Sequence, residues 1–195
     1  MRLSSGSGLD GLSSIAPMSW MKDVAILRPF YDCSHVDLIT YCKENKVQWI
    51  EDPSNDQDKY KRVRFRKAQD FLTEEGLTSK RLSKTIERMA RARDALDQMT
   101  VFMLDQLIID YSDEECGLDL KAFYDLHLEF QIRAVLMVIE RLVGVTAYPP
   151  RLEKLEGLVH DLGRSSKPFR KRTFAGCVFE VKPKDNVFII SIEKR

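Results

Sequence analysis

An α+β fold is predicted by three features of this 195-residue sequence. Its middle repeats apolar residues every three or four positions, the period of a helix with one buried face. Its C-terminal stretch instead gathers β-branched and aromatic residues around turn formers, the pattern of a hairpin. Its composition, 44% hydrophobic and 31% charged, is that of a chain that buries a core.

Residues 1–20 open on "SSGSGLDGLSS", which is loop composition, yet "IAPM" and "AILRPF" follow as apolar strand candidates. A Gly-Ser loop feeding directly into buried strands suggests a start inside a domain. Ser34 is a helix N-cap for "HVDLITYCKEN", with Val36, Ile39 and Cys42 on one face and Asp37 in the first turn. "VQWI" (47–50) reads as a short strand, and Pro53 and Asn55 form the turn after it. Residues 58–75 read as a basic helix closed by Gly76. A long helix is expected over 80–111, because Leu82, Ile86, Met89, Ala90, Leu96, Met103, Leu107 and Ile108 recur at helical spacing. "GLDL" (117–120) is a short strand. A helix over 128–143 stops at Gly144, and "RLEKLEGLVHDL" is a shorter one after Pro149 and Pro150. "RSSKPFRKR" is a basic linker, and "TFAGCVFEV" and "NVFIISIE" are the two arms of a hairpin joined by "KPKDN".

The net charge of +1 selects no partner by itself, so only local charge is informative. No apolar run reaches the roughly 20 residues of a membrane span, and the opening residues lack the apolar stretch of a secretory signal. Cys33, Cys42, Cys116 and Cys177 form no C-x-x-C pair, and His35, His127 and His160 have no zinc-site spacing. No metal site is expected, and free, mostly buried thiols in a reducing cytoplasm are.

Three basic clusters stand out. Lys59, Lys61, Arg62, Arg64, Arg66 and Lys67 follow an acidic turn. Lys80, Arg81, Lys84, Arg88, Arg91 and Arg93 open the long helix, and Arg164, Lys167, Arg170, Lys171 and Arg172 fill the linker. Arg62 and Arg66 are i,i+4 neighbours with Lys59 one turn earlier, whereas Val63 and Phe65 can pack inward. Such clustering on a nearly neutral chain is a polyanion footprint. Asp52 and Asn55 can order the start of the basic helix by side-chain hydrogen bonds. The loop Gly6-Ser7-Gly8, with Gly11 behind it, could bring backbone N–H groups near a phosphate, but no Gly-Lys-Ser/Thr follows it. Asp113, Glu114 and Glu115 read as a solvated turn, and His127 as a cap. No Ser/His/Asp or Cys/His arrangement is arguable, so no catalytic residue is assigned.

These residues resemble the tRNA(Ile)-lysidine synthetases. "RLSSGSGLDGLSSI" resembles their RLxRGSGxxGLxxM, "ILRPF" their LRPL, and "ITYCKENKVQWIEDPSN" their Y-C…W-x-x-D-x-S-N block. "YKRVRFR" is similar to Y-x-R-N-x-x-R with Val63 for Asn, and Ser5 stands for the family's Arg. "GLDLKAFYDLHLEFQIRAVLMVIERLVG", "PPRLEKLEGLV" and "RTFAGCVFEV" continue the likeness in order.

The resemblance implies N-type ATP pyrophosphatases that adenylate the wobble cytidine of an isoleucine tRNA (CAU anticodon), which free lysine then attacks, releasing AMP. The family's S-G-G-x-D-S ATP loop does not occur in this sequence. The expectation is therefore a fragment: the tail of an α/β nucleotide-binding (PP-loop) domain (1–58), a linker helix (59–78), a mainly helical domain (79–163), and a basic linker ending in a β-hairpin (164–195). ATP and magnesium belong to the full-length family, and none is expected to bind this chain alone. Expected tRNA contacts are Arg28, Arg62, Arg64, Arg66, Lys167, Arg170, Lys171 and Arg172, with Gly6, Ser7 and Gly8 as a partial nucleotide pocket. A non-catalytic tRNA-binding module derived from the enzyme is the alternative. A second copy of the chain, as a homodimer, completes the expected partners. Residues 1 to about 30 are expected to be weakly held, since their strands would belong to a sheet whose other strands are missing.

Overall fold

The computed structural model describes residue 4 and residues 6–13, 16–21, 24–50, 59–144, 150–164 and 169–194, apart from the side chains of Trp20, Met21, Arg62 and Arg164. Asp52, Asn55 and Lys167 lie outside the described residues. The chain divides into two compact units, Met1–Ser19 with Ala25–Arg93, and Trp20–Val24 with Asp94–Arg195.

The first unit is built from short elements. Helix α1 (Leu9–Leu12) follows the glycine loop, and strands β1 (Met18–Met21) and β2 (Val24–Leu27) pair with each other in a two-stranded sheet. Helix α2 (His35–Glu44) starts as the sequence predicts. Ser34 Oγ accepts from the Asp37 N–H, and the Asp37 carboxylate in turn accepts from the Ser34 hydroxyl (2.6 Å) and the Ser34 N–H (3.1 Å); these last two bonds, the hydroxyl's first, hold the Asp37 carboxyl below the usual carboxylate range.

Two expectations for this unit fail. "VQWI" is not a strand: it has no ladder partner among the described residues, and Ile50 is 96% exposed. The basic helix is two, α3 (Lys61–Lys67) and α4 (Gln69–Glu74), separated at Ala68, whose backbone stays right-handed at φ −83° and ψ 0°. Within the unit only Val63 and Ser13 are buried among the described residues.

The long helix α5 (Ser79–Leu107) ends four residues early, and Ile108–Tyr111 forms strand β3. The apolar repeat ran through Ile108, but Ile108-Ile109 is a β-branched pair that suits a pleated strand. Strand β4 (Glu115–Asp119) follows, then α6 (Leu120–Asp125), α7 (Leu128–Val143), α8 (Leu152–Arg164), β5 (Arg172–Phe174), β6 (Cys177–Lys182) and β7 (Val187–Ile192).

The terminal hairpin is more than a hairpin. "TFAGCVFEV" is two strands, turned at Ala175 and Gly176, both at positive φ (52° and 79°). Such a two-residue turn matches the twist of the strands that it joins. All pairings are antiparallel, in the order β3-β4-β7-β6-β5.

The core of the second unit lies between the sheet and α7. Cys116, Leu118, Cys177, Phe179, Phe188 and Ile190 alternate inward along their strands, while Ile132, Val135, Val138, Ile139 and Leu142 form the buried stripe of α7. Phe123 closes it, 5.1 Å from the Phe188 ring. Leu155, Leu158, Val159 and Leu162 of α8 complete the apolar cluster.

Polar groups lock the corners. The buried Gln131 amide donates to the carbonyls of Phe123 (3.0 Å) and Leu126 (3.1 Å), satisfying the C-terminal end of α6. Asp119 caps α6 by accepting from the Ala122 N–H, and Asn186, at φ 56°, donates to the same carboxylate. Arg133, 5% exposed, donates Nε to Glu129 (2.8 Å) and Nη1 to Asp97 (2.5 Å) of α5.

Replacing Phe123 with alanine is expected to cost about 3–5 kcal/mol, since a fully buried ring leaves a cavity; denaturant unfolding checks it, and a change under 1 kcal/mol would contradict this core. Thiol chemistry checks it independently. Burial pushes the Cys116 and Cys177 thiols up to about 11, whereas Cys33 is exposed. Alkylation of the native chain near pH 8 should therefore label Cys33 and spare Cys116 and Cys177 until denaturant is added.

Candidate nucleic-acid interface

The described cations of the first unit cluster on two elements, α3 and the first half of α5, with Arg28, Lys43, Lys46 and Lys59 outside them. On α3, Arg64, Arg66 and Lys67 are exposed, while Lys61 is half-buried with Nζ 3.3 Å from the Ser4 carbonyl. Arg64 Nη1 donates to the Lys59 carbonyl at 3.2 Å, and Lys59 Nζ sits 5.0 Å over the Tyr60 ring. Val63 turns inward at 3% exposure, as its spacing predicts, which fits an apolar side chain where the resembling family has Asn. The α3 position of Arg62 is described, and its side chain is not.

On α5, Lys80, Arg81, Lys84, Arg88 and Arg91 are exposed. Arg93 is different. It is half-buried on the other side of the helix and donates to Ser13 Oγ at 2.9 Å. Neither helix has an acidic residue in its first turn.

Arg28 does not stand ready as a contact. Its Nη1 donates to the Ala16 carbonyl (2.9 Å) and to Ser19 Oγ (3.0 Å), so it braces the segment before β1. The Gly6-Ser7-Gly8 loop is likewise folded onto its own helix. Gly6 takes φ 70°, Gly8 caps α1, and a Cβ on Gly11 would come within 2.6 Å of Ser7 Cβ. A triphosphate cradle needs converging N–H groups, and this loop leads into a helix of only four residues.

Beside α2, Cys42, Lys43, Lys46, Val47, Gln48 and Trp49 line an open cleft of about 490 Å³, with Trp49 44% exposed. In the second unit, Arg170, Lys171 and Arg172 are all exposed but unequal. Lys171 pairs with Glu180 at 3.1 Å, and Arg172 with Asp161 at 2.5 Å while lying over Phe169. Arg170 makes no ion pair among the described residues. Of the expected turn, Glu114 pairs with Lys194 at 2.8 Å, and His127 Nδ1 accepts from the Glu129 N–H as a cap. Among the described residues no group of acidic, His or Cys side chains is placed to hold a metal, and no helix is long and apolar enough to cross a membrane.

Residues 1–69 match the family model of the PP-loop domain. The chain is 32% identical to the tRNA(Ile)-lysidine synthase of Ruegeria pomeroyi over 86% of its own length and 40% of that protein's. It is 32% identical to that of Rhodopseudomonas palustris over 93% of itself and 54% of the relative. The chain is a relative of the tRNA(Ile)-lysidine synthases. Against the enzyme of Wolbachia pipientis wMel the match extends over the whole chain, at 28% identity and 44% of the relative. The chain thus spans about half the length of the lysidine synthases it matches. The PP-loop match ends one residue beyond the Ala68 break.

Replacing Arg28 with alanine should remove two bonds that hold Ala16 and Ser19. Faster amide exchange at Ser19, with unchanged exchange in β6 and β7, is the expected readout by mass spectrometry; unchanged exchange at Ser19 would return Arg28 to the pool of contact residues.

Proposed function

We propose that this chain grips a tRNA by its phosphate backbone, as the tRNA-holding portion of a lysidine-forming ATP-dependent ligase. The single observation that supports this best is the run of exposed cations on α3, with no acidic residue in its first turn, next to a chain related throughout to enzymes named for tRNA(Ile). Arg62, Arg64 and Arg66 of α3 are the main contacts, with Arg170 and Lys167 reaching a separate part of the same tRNA. Lys171 and Arg172 contribute less, since each must give up a carboxylate partner first. The whole enzyme's chemistry would be adenylation of the wobble cytidine in a CAU anticodon by magnesium ATP, followed by attack of free lysine, in the cytoplasm.

The residues present do not fit ATP. No S-G-G-x-D-S occurs in the sequence, and the Gly6-Ser7-Gly8 loop packs on Gly11. No catalytic step is therefore assigned to these 195 residues, and as an isolated polypeptide they would bind tRNA without modifying it. The alternative reading, a tRNA-binding module without catalysis of its own, is favoured by the same observation. The two differ in whether adding a PP-loop nucleotide-binding half restores lysidine formation.

Phosphate contacts position without specifying. The variant Arg62→Ala/Arg66→Ala should thus weaken binding to all tRNAs alike and flatten the log–log salt dependence by up to about two contacts, each worth roughly 0.7 to 0.9. Filter binding over a salt series measures this, and wild-type affinity at low salt would make α3 an ordinary solvated face. Calorimetry with magnesium ATP should show no micromolar binding to the isolated chain, and such binding would overturn the assignment of the glycine loop.

A further inference from the structure

We infer that the first half of α5 is a second phosphate-binding rail, formed by Arg81, Lys84, Arg88 and Arg91 on one exposed face. The inference rests on the tRNA reading above and names the element that carries much of the grip.

The geometry comes from spacing. At about 100° per residue, these four side chains fall within an arc of about 80°. Half-buried Ile86, Met89, Ala90 and Arg93 occupy the opposite arc. The rail spans about 15 Å at ~1.5 Å per residue. A rail of that length can face several successive phosphates of one strand of an RNA stem.

A solvated helix face does not need this arrangement. Such faces interleave both signs and gain from i,i+4 pairs of opposite charge. Between Ser79 and Arg93 there are six cations and one acidic residue, Glu87. Arg81 with Lys84, Lys84 with Arg88, and Arg88 with Arg91 are like-charge neighbours at i,i+3 or i,i+4, a spacing that opposes helix formation. Lys80 and Arg81 also stand in the first turn, at the positive end of the macrodipole, where cations are unfavourable. The helix thus carries positive charge against its own stability, which a bound polyanion would offset.

The cations are also available. Arg88 and Arg91 make no hydrogen bond or ion pair among the described residues. Arg81 uses one of its five donors on the Gly76 carbonyl at 3.1 Å. Lys84 pairs with Glu87 at 2.9 Å, but both side chains are more than half exposed, and such a pair yields readily to a phosphate.

The test uses the 195-residue chain, a tRNA transcript and a salt series. Arg88→Gln/Arg91→Gln should lower affinity at least about tenfold near 0.1 M salt and make the log–log slope less negative by about 1.4 to 1.8. Its melting temperature should hold or rise, because a like-charge pair is gone. Arg88→Lys/Arg91→Lys should keep the wild-type slope. If the glutamine variant binds as wild type does while the wild type shows a steep salt dependence, the α5 rail is wrong and the tRNA reading stands on α3. If the wild type shows no salt-dependent tRNA binding, both fall. Loss of melting temperature with the glutamine variant, or an equal loss of binding with the lysine variant, would also overturn the rail, since the arginines would then serve the fold or a specific pocket.

Discussion

The second unit depends on the packing of α7 across the antiparallel sheet. Val135 and Val138, both fully buried, meet a floor of Phe179, Phe188 and Ile190, and Phe123 seals the end of the layer. Other features of the unit follow from keeping that layer dry. Gln131 must satisfy the carbonyls at the end of α6, because that helix stops against α7 and cannot reach water there. Arg133 is drawn below the surface on the same helix, so its charge needs both Glu129 and Asp97, each about two-fifths exposed. The Asp97 bond and the longer contact of Arg141 with Asp105 (3.9 Å) both join α5 to α7, eight residues apart on each helix. The two helices therefore run in the same direction along that seam.

Charge divides along α5 as sharply as burial does. Up to Arg93 its formal charge is six positive against one negative, and from Asp94 to Leu107 it is Asp94, Asp97 and Asp105 with no cation. The acidic half supplies partners for the arginines of α7, whereas the basic half has almost none of its own. A nearly neutral total thus conceals a helix with one structural end and one end suited to a polyanion. Together with α3, that end gives the first unit a cationic surface and very little core, since Val63 and Ser13 are its only buried residues among those described.

Much of this was legible in sequence because it depends on local rules. Ser34 and Asp37 announce a capping box, Gly144 ends α7 at the predicted residue, and Val63 turns inward on a helix otherwise basic. Several of the failures share one cause, the neglect of partners distant in sequence. Ile108 continues a helical repeat but is claimed by Leu118 across the β3–β4 ladder, with Ile109 beside it. The terminal strands read as a free hairpin because nothing nearby in sequence shows that β7 also pairs with β4. Ala175 hides a turn, since alanine rarely takes φ 52° and gives no turn signal without the Gly176 that follows. At the candidate site, Lys171 and Arg172 looked equivalent to Arg170 until Glu180 and Asp161 came alongside, and Arg28 looked exposed until Ala16 and Ser19 closed on it. The basic face of α5 was written in the sequence as a cluster, and its separation from Arg93 required the helix to be placed against Ser13.

The central proposal is that the cationic helices of the first unit carry most of the RNA contact, with the segment around Arg170 adding to it, while the packed sheet of the second supports the fold. Lysine acetylation with and without bound tRNA, read by mass spectrometry at each residue, tests it most directly. Lys67, Lys80 and Lys84 are exposed on α3 and α5, and Lys121, Lys154, Lys182 and Lys184 are exposed on the second unit. Protection by tRNA at the first three, with the other four unchanged, is the predicted result. Equal protection at all seven, or protection confined to the second unit, would contradict the account.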